Sequence, residues 1–381
     1  MQATMIGDYG EWAAGLVGDG PAKLSFRRDE FVDVEDWRRR ARQRVIERLA
    51  PPTLQTPKDI ELVESGRHDG LDVELLRWHV GYGRATEAVL LKPTGQKGPL
   101  PGVLALHDHS GKKYFGRRKI ARWAQRHPLM AEHHEHYYGG RAWANELAKR
   151  GYVVLVHDCF GFASRRVRPS ECTEPVCGVA VDPSDDDHDS IAAYNRWAAG
   201  HEHIMAKSLF CAGTTWPGAF WQEDRVALDI LAARDDVDAG RLGCGGLSGG
   251  GLRTCFLAGL DERIGCAVCA GFMSTWRDFL LRKVHTHTWM TYVPLLPAEL
   301  DFPEILGLRA PAPTMVMHCT EDRLFSNKAV RDSEVVLGAI FAKAGGANNL
   351  RFEYYPGGHK FDVTMQREAF DFFDRHLGCG D

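Results

Sequence analysis

Short apolar segments of strand length alternate with helical ones along most of this chain, and few architectures accept that order. VLALHDHSG (103–111), YVVLVHD (152–158), RLGCGGLS (241–248), IGCAVCAG (264–271), PTMVMHC (313–319) and LRFEYY (350–355) read as strands. Helical patterns lie between or after them at Arg141–Arg150, Gln222–Arg234, Gly249–Gly259, Ser326–Ala344 and Val363–Leu377. Apolar runs bounded by polar residues and glycine suit strands covered on both faces, so the alternation predicts an α/β fold with a mainly parallel central sheet between two helical layers. Functional side chains then belong at the carboxyl ends of the strands.

Upstream, β-branched or alternating segments at Ile60–Val63, Val73–His79 and Ala88–Leu91 are separated by Gly66, Gly70, Gly81 and Gly83, which predicts an antiparallel meander. Still earlier, Val34–Leu49 carries Trp37, Val45, Ile46 and Leu49 at helical spacing and stops at Pro51-Pro52. Residues 1–59 are therefore expected to form an N-terminal helical extension, with its arginines on a solvated face, and residues 60–381 a catalytic domain. Two stretches, at about 160–218 and 275–311, exceed ordinary loop length and are expected to carry short helices over the site. The acidic run Asp185–Asp189 reads as a solvated loop or a helix start.

A chain of 381 residues with 44% hydrophobic content can bury a large core. With 47 basic against 51 acidic residues it offers no polyanion-binding charge, which argues against nucleic acid and anionic membrane partners. No segment has the length of a membrane span or the layout of a signal peptide. Several of the ten cysteines fall inside strand segments, where a thiol behaves as a small hydrophobe, so a reducing, cytoplasmic compartment is expected. Cys266 and Cys269 have CxxC spacing, but a strand turns them to opposite faces, against a redox or metal role. Cys172 and Cys177 could pair.

The chemistry concentrates in four segments. Gly246-Leu247-Ser248-Gly249-Gly250 matches GxSxG where a strand passes into a helix, a turn that exposes the serine hydroxyl and admits only small neighbours. Serine needs a base and an orienting carboxylate, and both follow in the order expected of this motif: Asp322 in CTEDRLF and His359 in PGGHKF, each just beyond a strand. Glu321 is the rival acid. Oxyanion donors are assigned to the backbone N–H groups of Gly249 and, in the HDHSG loop, of His109, with Ser110 the alternative.

HDHSG, HDCFGFASRR, GLSGG, TEDRLF and PGGHKF together resemble the α/β-hydrolase superfamily, and within it the dienelactone hydrolase-like and acetyl xylan esterase-like bacterial hydrolases, over roughly Ile60–Leu377. The resemblance implies hydrolysis of a small-molecule carboxylic ester, acetyl or another short chain, with no cofactor. Dienelactone hydrolases proper use a cysteine nucleophile where this chain has Ser248, so dienelactone is a poor substrate candidate. Thioester and carbon-carbon bond hydrolysis share the same triad, and a noncatalytic binding protein is the alternative of another class. A homo-oligomer is left open.

Other residues are weaker candidates. Asp108, Ser110, Trp276 and Trp289 are assigned to substrate binding, and Asp158 is placed near the cleft. Trp216, Phe220, Trp221 and Tyr292 could complete an aromatic wall, Arg165 or Arg166 could hold a carboxylate, and His127, His133, His134 and His136 read as a polar loop rather than a metal site.

Overall fold

The computed structural model describes residues 3–54, 56–178 and 182–378, without the side chains of Pro175 and Cys177, so the Cys172–Cys177 pairing lies outside the described residues. Nine strands form one sheet: β1 (Glu61–His68), β2 (Leu71–Trp78), β3 (Thr86–Pro93), β4 (Leu100–Leu106), β5 (Val153–His157), β6 (Val237–Leu247), β7 (Ile264–Ala270), β8 (Thr314–Cys319) and β9 (Leu350–Tyr355). Their order is β1-β2-β3-β5-β4-β6-β7-β8-β9. The first three are the expected antiparallel meander; β3 meets β5 antiparallel, and all pairings from β5 to β9 are parallel.

Register explains the two cores. Leu104 lies beside Leu155 and Cys244, and Leu155 beside Leu90, and all four face one apolar layer. Their chain neighbours Val89, Val103 and Val154 face the other. The period-2 pleat thus sends successive residues of each strand into different cores. Cys266 and Cys269 obey the same rule, one in each layer, both completely buried. In the helix Val363–Leu377, Met365, Ala369, Phe372 and Phe373 form the buried stripe, Asp362 accepts the Thr364 and Met365 N–H groups at its start, and Gly378 ends it with φ 73°.

The N-terminal helix Val34–Leu49 buries Trp37, Ala41, Val45 and Leu49, a strict four-residue stripe, completely. Arg39 and Arg40 are exposed, as expected of a solvated face, but the other arginines of the helix are not free in solvent. Arg42 donates to the Gly259 carbonyl at 2.9 Å, Arg38 to the Leu308 carbonyl at 2.9 Å, and Arg44 and Arg48 both bind Glu299. Gly259 and Leu308 lie at helix carboxyl ends, where unpaired carbonyls and the dipole attract cations.

The first insertion also departs from the expected short helices. It carries a 24-residue helix, His188–Cys211, with Asp187 capping Ser190 N–H at 3.0 Å, so the acidic run is a helix start. The next helix begins at Trp216 rather than Gln222, because Thr215 caps Gly218 N–H at 2.9 Å and Pro217 occupies the first turn. The second insertion breaks into short turns before the helix Phe302–Gly307.

Candidate active site

Ser248 joins β6 to the helix Gly249–Leu260 with φ 60° and ψ −114°, a conformation that costs a non-glycine residue strain. The surrounding backbone leaves no room for side chains. A Cβ on Gly246 or on Gly250 would lie 2.1 Å from the Leu106 carbonyl oxygen, and one on Gly251 would lie 2.6 Å from that of Ala270. The GLSGGG run is therefore a steric requirement of carrying a helix directly over the ends of β4 and β7. Ser248 N–H donates to the Ala270 carbonyl at 2.9 Å, which pins the strained residue to the neighbouring strand.

His359 and Asp322 come together as the sequence predicted. His359 Nδ1 lies 2.6 Å from Asp322 Oδ2, while Asp322 Oδ1 accepts the Leu324 N–H at 2.9 Å. Asp322 is 4% exposed. Burial pushes its carboxyl up, but the hydrogen bond and charge of His359 and the Leu324 amide outweigh that and hold it below its ordinary value. His359 Nε2, the other ring nitrogen, is buried with no partner among the described residues. Gly271, at φ 57°, makes space for the ring: a Cβ there would stand 3.0 Å from His359 Cε1. The rival Glu321 is exposed and accepts the Gly357 N–H at 3.2 Å, a turn contact.

Ser248, Gly249, His359, Asp108, His109 and Ser110 line one cavity of about 240 Å³. Gly249 and His109 face each other closely, since a Cβ on Gly249 would lie 2.9 Å from the His109 nitrogen. Neither amide has a protein acceptor among the described residues. Two unpaired N–H groups beside the serine, one at a helix N-terminus, are the arrangement an oxyanion requires.

The HDHSG loop is held by residues that the sequence did not single out. Gly111 N–H donates to His109 Nδ1 at 3.0 Å, so His109 Nε2 carries the proton and donates to Glu202 Oε1 at 2.6 Å. Lys113 Nζ also reaches Glu202 Oε1, at 2.8 Å, and the second Glu202 oxygen accepts the Thr288 hydroxyl at 2.6 Å and the Trp289 N–H at 3.2 Å. One buried carboxylate thus ties both insertions to the loop. Burial pushes it up, but His109 and Lys113 hold it well below the usual range. Lys119, completely buried, donates to the Asp108 and His109 carbonyls. Glu202 escapes sequence reasoning because its partners lie far away in the chain, and Lys119 because no local pattern marks a lysine that folding buries against carbonyls of the loop just upstream.

The remaining candidates divide. The Asp108 carboxylate accepts from Tyr138 Oη and from His133 Nε2, an internal role, although the residue borders the cavity. Ser110 lines the cavity with φ 45° and a buried hydroxyl that has no partner among the described residues. Trp276 does not reach the cavity: its indole N–H donates to the Leu300 carbonyl at 3.1 Å and its ring lies 3.9 Å from that of Phe302. Trp289 is 41% exposed and outside the lining. Trp216, Phe220 and Trp221 are core residues and Tyr292 packs beside them, so no aromatic wall forms. In place of a wall, Thr286, His287, Thr288, Thr291 and Tyr137 line the cavity together with the apolar Leu252, Phe272 and Leu324. Burial pushes the His287 imidazole down to about 4, so it is neutral.

Asp158 is structural, taking the Arg117 N–H at 2.8 Å and the Ser164 hydroxyl at 2.8 Å. Arg165 pairs with buried Glu223 at 2.6 Å, and Arg166 lies over Tyr114. His133 and His134 are buried on the helix Pro128–Tyr138 rather than on a polar loop, and no group of potential ligands forms a metal site among the described residues. No described helix is long and apolar enough to cross a membrane.

No family model matches the chain. It is 27% identical over 324 residues to "Putative hydrolase YtaP" of Bacillus subtilis (strain 168), a match that covers 84% of this chain and 93% of the relative. Among solved structures, a "putative acetyl xylan esterase" from Bacteroides fragilis NCTC 9343 superposes with TM-score 0.70 at 16% identity, covering 92% of this chain and 83% of that one. The glucuronoyl esterase of Solibacter usitatus superposes with TM-score 0.60 at 14% identity, covering 94% and 98%. Strand order, the strained serine at the β6 elbow and these likenesses together identify the fold of this chain as that of the α/β-hydrolases.

Proposed function

We propose that this protein is a serine hydrolase that cleaves carboxylic esters with small acyl groups, using Ser248 as nucleophile, His359 as general base and Asp322 to orient the histidine. The observation that carries the reading is the 2.6 Å contact between His359 Nδ1 and Asp322, with the opposite ring nitrogen unpaired and both Ser248 and His359 on one cavity. The hydrolase and esterase descriptions of the relatives support the reaction class. At 16% and 14% identity they do not carry over a substrate.

In the first step His359 Nε2 takes the Ser248 hydroxyl proton as Oγ bonds to the ester carbonyl carbon, and the carbonyl electron pair moves onto oxygen, facing the Gly249 and His109 N–H groups. Collapse reforms the carbonyl and breaks the bond to the alcohol oxygen, which leaves with the proton from His359. Water then gives a proton to His359 and attacks the acyl-serine, and the proton returns to Oγ as the acid departs. A cavity of about 240 Å³ is smaller than the roughly 300–1,000 Å³ of sites for larger ligands, which favours a short acyl chain.

The test is labelling with an active-site fluorophosphonate and peptide mapping, beside p-nitrophenyl esters from acetyl to octanoyl. Modification at Ser248 with turnover falling as the chain lengthens is expected. A folded protein that resists labelling refutes the nucleophile, and labelling without ester turnover redirects the reading to a thioester or carbon-carbon substrate.

A further inference from the structure

We infer that Lys119 is the positioning residue of the oxyanion hole: its ammonium sits on the carbonyl side of the peptides whose N–H groups face the reacting carbonyl, and it both fixes and polarises them. This rests on the proposed role of Ser248. Lys119 Nζ donates at 2.8 Å to the Asp108 carbonyl and at 2.8 Å to the His109 carbonyl. The Asp108 carbonyl belongs to the same peptide unit as the His109 N–H, and the His109 carbonyl to the same unit as the Ser110 N–H. One side chain therefore holds both donors that HDHSG can offer.

Two physical consequences follow. In a trans peptide the C=O and N–H point opposite ways, so anchoring the carbonyl aims the N–H at the cavity. A cation on the carbonyl oxygen draws density through the conjugated C–N bond and makes the N–H a stronger donor, as in a chain of hydrogen bonds. Such an anchor is useful here because Ser110 at φ 45° and Gly111 at φ 67° make the loop irregular, with no strand to hold it.

The ammonium is built in rather than incidental. Lys119 is 0% exposed, the Phe162 ring lies 4.6 Å away, and the Asp108 carboxylate lies 3.9 Å away. The turn Arg117–Lys119 that carries it is fixed by the Asp158 carboxylate on the Arg117 N–H. Lys113, the other buried lysine nearby, is paired with Glu202. Burial pushes the Lys119 ammonium down to about 7, with Asp108 and Cys159 acting to raise it and Lys113 and Lys112 to lower it further. His107, His109 and His133 also feel its charge, and each is itself pushed down by burial. Loss of its proton leaves a donor but removes the charge, so the hole is expected to weaken on the alkaline side.

The experiment compares wild type with Lys119→Met, Lys119→Gln and Lys119→Arg, each checked by circular dichroism, using p-nitrophenyl acetate and a boronic acid that forms a tetrahedral adduct with the serine. Lys119→Met is expected to lower kcat about 10- to 100-fold with KM changed less than about threefold, and to weaken the boronic acid by a similar factor, because the donors are loosened rather than removed. Lys119→Gln, which keeps a donor, and Lys119→Arg, which keeps the charge, recover part of the loss. A folded Lys119→Met variant with wild-type kcat overturns the proposal while leaving the esterase reading intact. Should that variant not fold, the wild-type profile decides: kcat falls on the alkaline side, and a plateau reaching about pH 10 overturns the proposal. A wild type that neither labels at Ser248 nor turns over esters overturns the esterase reading and this one with it.

Discussion

Asp322→Asn is the substitution for which the structure specifies the most. Oδ1 of Asp322 accepts the Leu324 N–H at 2.9 Å and Oδ2 faces His359 Nδ1 at 2.6 Å. The Leu324 amide can only donate, so the asparagine carbonyl must take the Oδ1 place, and its NH₂ then points at Nδ1. His359 is forced to accept there, which moves its proton to Nε2 and leaves it unable to take the Ser248 proton. A wrong tautomer in a triad of this kind costs about 10⁴ in kcat. At about 1.36 kcal/mol per factor of ten, that is about 5 kcal/mol of transition-state stabilisation. The assay is kcat for p-nitrophenyl acetate near neutral pH, with circular dichroism and Tm to show that the fold is kept. A folded variant within tenfold of wild type refutes the assignment of Asp322. Because the wild-type carboxyl is held low, its contribution to stability is present above the unfolded value of about 3.9 and is lost as pH falls through the folded one, so the variant's stability changes less on acidification.

Glu321→Gln, at the exposed rival acid, is expected to leave kcat within about twofold; a triad-sized loss reassigns the acid. Gly250→Ala forces a Cβ to within 2.1 Å of the Leu106 carbonyl oxygen, a backbone atom that cannot swing aside, and is expected to destabilise by at least about 3 kcal/mol in urea unfolding; an unchanged midpoint refutes the close approach. Glu202→Ala leaves the Lys113 ammonium, 5% exposed, without its carboxylate and is expected to cost about 3–5 kcal/mol; a loss below about 1 kcal/mol shows that the junction is weak. The low Glu202 carboxyl stabilises the fold above the unfolded value of about 4.3 and less as pH falls through its folded value, so Glu202→Gln flattens the acid side of the stability profile.

The layers, the elbow and the order Ser248, Asp322, His359 of the proposed triad are legible in the sequence alone. Local signals sufficed there: Leu104 and Leu155 sit in apolar strand runs, Ser248 is flanked by glycines because Gly246 and Gly250 face the Leu106 carbonyl, and Asp322 and His359 follow strands whose ends the pattern marks. Their surroundings depend on how distant segments pack. Trp276 looked like a cavity wall in a long insertion but stacks on Phe302, since an aromatic residue carries no local sign of which core it enters. Arg38 and Arg42 lie on a helix face that reads as solvated, but folding brings the carbonyl ends of two distant helices beside them. Glu202 and Lys119 reach the HDHSG loop because folding puts a buried carboxylate and a buried ammonium beside its side chains and carbonyls. Backbone propensity and hydrophobic period act over a few residues, whereas the pairing of buried charges depends on which chain segments meet, and that is settled only when the sheet closes and both insertions pack over it.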